Sequence, residues 1–184
     1  MDKIKVLGIA GSLRKNSFNK ELLRCAAEEA GEGIDLEIFD LEGIPIFNQD
    51  HENELTEKVR EFKAKIKSAD AILIATPEYN YSIPGPLKNA IDCASRPSGD
   101  NAWNDKPVAI MSAAGGYLGG SRAQYHLRQT FVYLNMHPIN KPEVIVPFFN
   151  DKIDSEGRLI DKHTRDKVRE LLNALYLWTI KLIK

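Results

Sequence analysis

Three short stretches carry the groups best able to hold a ligand. From Gly11 to Asn19 the chain gathers Ser12, Arg14, Lys15, Asn16, Ser17, Phe18 and Asn19 directly before a helical pattern. The free N–H groups and positive dipole end of such a helix favour a phosphate, and a guanidinium among hydroxyls suits a dianionic monoester. An ordinary N-cap would need only Ser17 or Asn19 rather than the whole cluster. The stretch carries neither G-x-G-x-x-G nor Gly-Lys-Ser/Thr, so it matches neither a dinucleotide nor a nucleoside triphosphate motif. In the second stretch, Pro77, Glu78, Tyr79, Asn80 and Tyr81 lead into Ser82, Ile83, Pro84 and Gly85. Two tyrosines beside an amide and rigid prolines make a wall for a planar heteroaromatic ring, while a proline-rich turn with packed tyrosines reads equally well. The third stretch, Ser112, Ala113, Ala114, Gly115 and Gly116, lacks bulk, so its backbone amides can approach a ligand edge; its plain reading is a flexible turn.

Positioning these loops requires strands. Residues 4–10 form a nearly continuous apolar run ending at Gly11, as expected of a parallel strand buried on both faces. Leu22, Leu23, Ala26, Ala27 and Ala30 then recur at helical spacing up to Gly31. Further strands are expected at 34–39, 71–75, 108–112 and 143–147. Between and after them, helical stripes run through Leu55, Val59, Phe62 and Ile66, through Leu87, Ala90, Ile91 and Ala94, and through Ala123, Leu127, Phe131 and Leu134. Val168, Leu171, Leu172, Leu175 and Leu182 mark a last helix. Strands alternating with helices imply right-handed crossovers and an α/β sheet covered on both faces. Ligands of such sheets bind beyond the carboxyl ends of the strands, where the three loops fall.

Composition removes other classes. The 25 Lys and Arg balance 26 Asp and Glu, so no overall field attracts nucleic acid or an anionic membrane. A chain of this length buries roughly 70% of its unfolded surface, enough for one domain over 1–184 without disulfides or structural metal. Cys25 and Cys93 read as packed thiols of a reducing compartment; with no signal peptide or membrane-length apolar run, a cytoplasmic setting is expected. His51, His126, His137 and His163 lack metal-ligand spacing, and no metal is expected. No G-x-S-x-G elbow supports a serine hydrolase. The acidic stretch 150–157 fails as a calcium loop because Lys152 would occupy its first ligand position.

The runs Gly11 Ser12 Leu13 Arg14 with Ser17 Phe18 Asn19, and Pro77 Glu78 Tyr79 Asn80 Tyr81 Ser82 Ile83 Pro84 Gly85 with Leu87 Lys88 Asn89 Ala90 Ile91 Asp92, resemble the NADPH-dependent FMN reductase family. Arg122 to Gln129 and Asn140 to Glu143 are similar to its bacterial chromate, quinone and azo reductase branch. The resemblance implies a flavodoxin-like three-layer α/β/α sandwich with a five-stranded parallel sheet in order 2-1-3-4-5, and a tightly held FMN. By carry-over, Ser12, Arg14, Ser17 and Asn19 hold the phosphate, with Phe18 beside them. Pro77, Glu78, Tyr79 and Asn80 line the ribityl chain and ring, with Tyr81 and Ile83 at the open face, and Ser112, Gly115 and Gly116 approach the opposite edge.

The implied reaction is hydride transfer from NADPH or NADH to the flavin, followed by electron transfer to a small acceptor such as a quinone, azo compound or chromate. No side-chain acid or base is assigned. The resemblance further implies a homodimer or homotetramer in which Arg122, Tyr125 and Glu143 pair between subunits. The alternative is a flavodoxin-like FMN-binding electron carrier without NAD(P)H oxidation of its own. Against it stands the formal charge of -1, since such carriers use strong acidity to dock partners.

Overall fold

Residues 3–183 are described by a computed structural model. Ile4–Ala10 is strand β1, Ile34–Phe39 is β2, Ala71–Thr76 is β3 and Pro107–Ala113 is β4. Every residue of β3 and β4 is buried, which is why both read as unbroken apolar runs. His137–Pro138 is β5 and Val144–Val146 is β6. The helices are α1 Phe18–Glu29, α2 Glu57–Ser68, α3 Gly85–Ser95, α4 Ser121–Leu134 and α5 Lys162–Ile183.

The sheet runs β2-β1-β3-β4-β5 with every pairing parallel, and its switch point lies between β1 and β3. The fifth position differs from the expected single strand at 143–147. It is split: β5 pairs with Pro107 and Val108, while β6 pairs with Met111, Ser112 and Ala113 farther along the same β4 edge. Pro138 and Pro142 lack the N–H that a continuous ladder would need, so the edge is interrupted between the two pieces.

Alternation along the strands sorts the core into two layers. Val6, Ala71, Leu73, Ala75, Ala109 and Met111 pack under α1 and α5, against Leu22, Leu23, Ala26, Val168 and Leu172. Leu7, Ile9, Ile72, Ile74, Val108 and Ile110 face α2, α3 and α4, against Phe62, Ile66, Leu87, Ala90, Leu127 and Phe131. The result is the flavodoxin-like three-layer sandwich expected from the sequence. Among the described residues no helix is long and apolar enough to cross a membrane.

Candidate functional site

The loops after β1, β3 and β4 converge at one end of the sheet, and named contacts tie them together. Ser12 Oγ and Tyr79 Oη lie 3.1 Å apart, joining the first loop to the second. Asn19 Nδ2 donates to the Ala113 carbonyl at 2.9 Å, and the Ala113 N–H donates back to Asn19 Oδ1 at 3.0 Å, joining the first to the third.

In the first loop Ser17 caps α1, its Oγ accepting from the N–H of Asn19 at 3.2 Å and of Lys20 at 3.5 Å. Ser12 is buried, and its Oγ also accepts from the Arg14 N–H at 3.3 Å. Among the described residues the amides of Leu13, Lys15, Asn16 and Phe18 find no acceptor in the chain. Nor does Arg14 or Lys15 meet a carboxylate; the Arg14 guanidinium lies 5.1 Å from the Phe18 ring centroid. Free amides, a helix N-terminus and two uncommitted cations together suit a phosphate monoester. The buried amide of Asn19 engages Ala113 through Oδ1 and one Nδ2 proton, so it straps the site together and keeps its second Nδ2 proton as a donor.

The second loop is a tight reversal. Tyr79 and Ser82 exchange backbone hydrogen bonds of 3.1 and 3.0 Å, and the two central residues, Asn80 and Tyr81, have φ of 50° and 67°. Positive φ at both centres is the signature of a type I′ turn. Asn tolerates it, whereas Tyr in this region costs on the order of 1–2 kcal/mol, a strain that only surrounding contacts can hold.

Those contacts come from α4. Glu78 Oε2 accepts the Arg122 N–H at 3.0 Å and Oε1 accepts from Nε at 2.5 Å, so the carboxylate sits on the positive end of α4. This ion pair holds the Arg122 guanidinium above its ordinary range. The guanidinium lies 3.4 Å from the Tyr81 ring centroid, and Ser82 Oγ is 2.9 Å from His126 Nδ1. One sequence expectation changes here. The Glu78 carboxylate is committed to Arg122 and offers a ligand only its backbone. Arg122 thus pairs within the chain, while Tyr125 and Glu143 are exposed.

The third loop turns on Gly119 and Gly120, with φ of 57° and 90°. A Cβ on Gly120 would sit 2.8 Å from Ser112 Cβ, so α4 can approach β4 only with glycine there. Ser112 is fully buried, with its Oγ accepting from Gln124 Nε2 at 2.8 Å. Its hydroxyl is therefore internal to the protein rather than an edge contact. Gly115 and Gly116 are exposed, and a Cβ added to Gly116 would meet nothing within 4 Å.

The sequence reading missed a fourth segment. Phe149 packs its ring 4.9 Å from that of Phe18 and donates its N–H to the Ala114 carbonyl at 3.1 Å, while Phe148, at φ 50°, sets its ring against Tyr117. The signal was available, since residues 147–149 follow β6 at the same carboxyl end of the sheet.

The model for the NADPH-dependent FMN reductase family matches residues 4–151. The chain belongs to that family. It is 47% identical over 182 residues to an NAD(P)H-dependent FMN reductase of Pseudomonas aeruginosa, with 98% of each chain covered. It is 48% identical over 186 residues to an NAD(P)H:quinone oxidoreductase of Solanum tuberosum, covering 97% of this chain and 94% of that one. Among solved structures it is similar to FerB, a flavoenzyme NAD(P)H:(acceptor) oxidoreductase from Paracoccus denitrificans. That structure superimposes with a TM-score of 0.89 at 31% identity, over 97% of this chain and 98% of the other.

Proposed function

We propose that this FMN reductase family member is an NAD(P)H-dependent oxidoreductase for quinones and similar small acceptors, with all four loops forming one FMN site. The observation that carries the reading is the convergence of unpaired amides and free cations on one loop, an aromatic turn on the next and an open glycine on the third.

The donor set fits FMN. Ser12, Arg14, Ser17 and the free amides up to Phe18 hold the phosphate, with Asn19 fixing their distance from the third loop. Pro77 and the Glu78 backbone, with Tyr79, Asn80 and Tyr81, border the ribityl chain and ring. Gly115 and Gly116 border the opposite edge, where absent side chains leave backbone amides within reach, and Ser112 supports them from below. The chemistry that FMN supplies when bound is hydride acceptance from NADH or NADPH and electron donation to an acceptor. The protein's own part is orientation and exclusion of water, and no side chain is assigned as acid or base.

The whole chain serves as one FMN-binding unit. The outer face of α4 exposes Tyr125, Val132 and Tyr133, apolar surface that supports assembly into a dimer or tetramer. The two free, buried thiols support a reducing cytoplasm.

Steady-state kinetics with NADPH, NADH and benzoquinone test the reading. Saturable turnover with parallel double-reciprocal lines is expected, because both substrates use one flavin face in turn. Protein that holds FMN yet oxidises neither nucleotide would be an electron carrier, and the proposal would fall.

A further inference from the structure

We propose that Arg122, assisted by His126 one turn later, is a positioning residue that holds the Asn80–Tyr81 turn in the shape the flavin ring requires; the proposal rests on the FMN site described above. The turn cannot maintain itself. Its two central residues are non-glycine at positive φ, only the Tyr79–Ser82 backbone pair closes it, and Tyr81 is 68% exposed, so burial does not fix the ring.

Helix α4 supplies what is missing through residues four apart, which share one face of the helix. Arg122 engages the residue two before the turn's centre through Glu78 and covers the ring of Tyr81 itself, while His126 reaches the turn's last residue, Ser82. A planar guanidinium can do both tasks at once, donating in its plane to the carboxylate and stacking its face on the ring. An ammonium has no flat face, so it cannot donate in one plane and stack on the ring at the same time.

The clamp also couples the turn to the third loop. The Arg122 N–H that Glu78 accepts belongs to the first turn of α4, two residues after Gly120 and two before Gln124, which grips Ser112. Moving the Glu78 end of the clamp therefore shifts both walls of the ring site.

The test is FMN titration of apoprotein, followed by flavin fluorescence and visible circular dichroism, for the parent, Arg122→Ala, Arg122→Lys, Tyr81→Ala and the Arg122→Ala/Tyr81→Ala pair. Far-ultraviolet circular dichroism checks folding, and Ser82→Ala, which cuts only the His126 contact, serves if Arg122→Ala does not fold. Amide exchange at residues 79–82 is followed in the same apoproteins. Arg122→Ala is expected to raise the FMN Kd at least tenfold, change the flavin dichroism and speed that exchange. Arg122→Lys should recover only part of the affinity, and the double variant should lose less than the product of the single losses, because the two residues share one contact. Variants that match the parent Kd within twofold, with unchanged dichroism and exchange, would overturn the clamp while leaving the FMN site standing. A parent apoprotein that binds no FMN would overturn the site itself and the clamp's purpose with it.

Discussion

The side-chain amide of Asn19 and the backbone of Ala113, 94 positions apart, exchange two buried hydrogen bonds across the end of the sheet. This contact joins the cap of α1 to the end of β4, so the phosphate loop and the glycine loop are fixed to each other before any ligand arrives.

Replacing Asn19 with Ala leaves the N–H and C=O of Ala113 buried without partners. The expected cost is about 2–6 kcal/mol, from two unpaired buried groups at roughly 1–3 kcal/mol each, with weakened FMN binding besides. Urea unfolding measures it, and a loss below about 0.5 kcal/mol would show that the strap is dispensable.

Gly116 and Gly120 should behave oppositely. Gly120→Ala puts a methyl 2.8 Å from Ser112 Cβ at φ 90°, and about 2 kcal/mol or more of stability is expected to be lost. Gly116→Ala meets no protein atom within 4 Å. Its apoprotein should unfold within about 1 kcal/mol of the parent while binding FMN more weakly. Unchanged FMN affinity in Gly116→Ala would remove Gly116 from the site.

The loops themselves were legible because apolar strand runs end where they begin, and the carboxyl-end rule then points to the ligand. The committed partners of the polar side chains were not legible. Asn19, Glu78 and Ser112 look equally available in sequence, yet each is engaged by a protein group 94, 44 or 12 positions away, and only the fold brings those groups together. The split fifth strand was missed for a different reason. A two-residue strand containing a proline has no periodicity to detect.

Burial pushes the Cys25 thiol up to about 12, and burial likewise raises that of Cys93. The thiolate is the reactive form, so both should resist a disulfide reagent at pH 8 in the native protein and react fully once unfolded. Fast labelling of either thiol in the folded state would contradict their packing.

Asp100 provides a pH test. Its hydrogen bonds to Lys63 and then Lys67 hold its carboxyl below the ordinary 3.8, so its folded form binds the proton less readily than its unfolded form. The stability this contributes is present above 3.8 and is lost as pH falls through the depressed folded value. The Tm deficit of Asp100→Asn should therefore be equal at neutral and mildly acidic pH and shrink below about pH 4. A deficit that stays constant at lower pH would show that the pair with Lys63 does not stabilise the fold.

The most direct measurement of the central claim is an anaerobic half-reaction. FMN-loaded protein is mixed with NADPH, and separately with NADH, and benzoquinone is added afterwards. Loss of the oxidised-flavin absorption with at least one nucleotide, and its return on adding the quinone, is the predicted result. Bound flavin that stays oxidised with both nucleotides would contradict it.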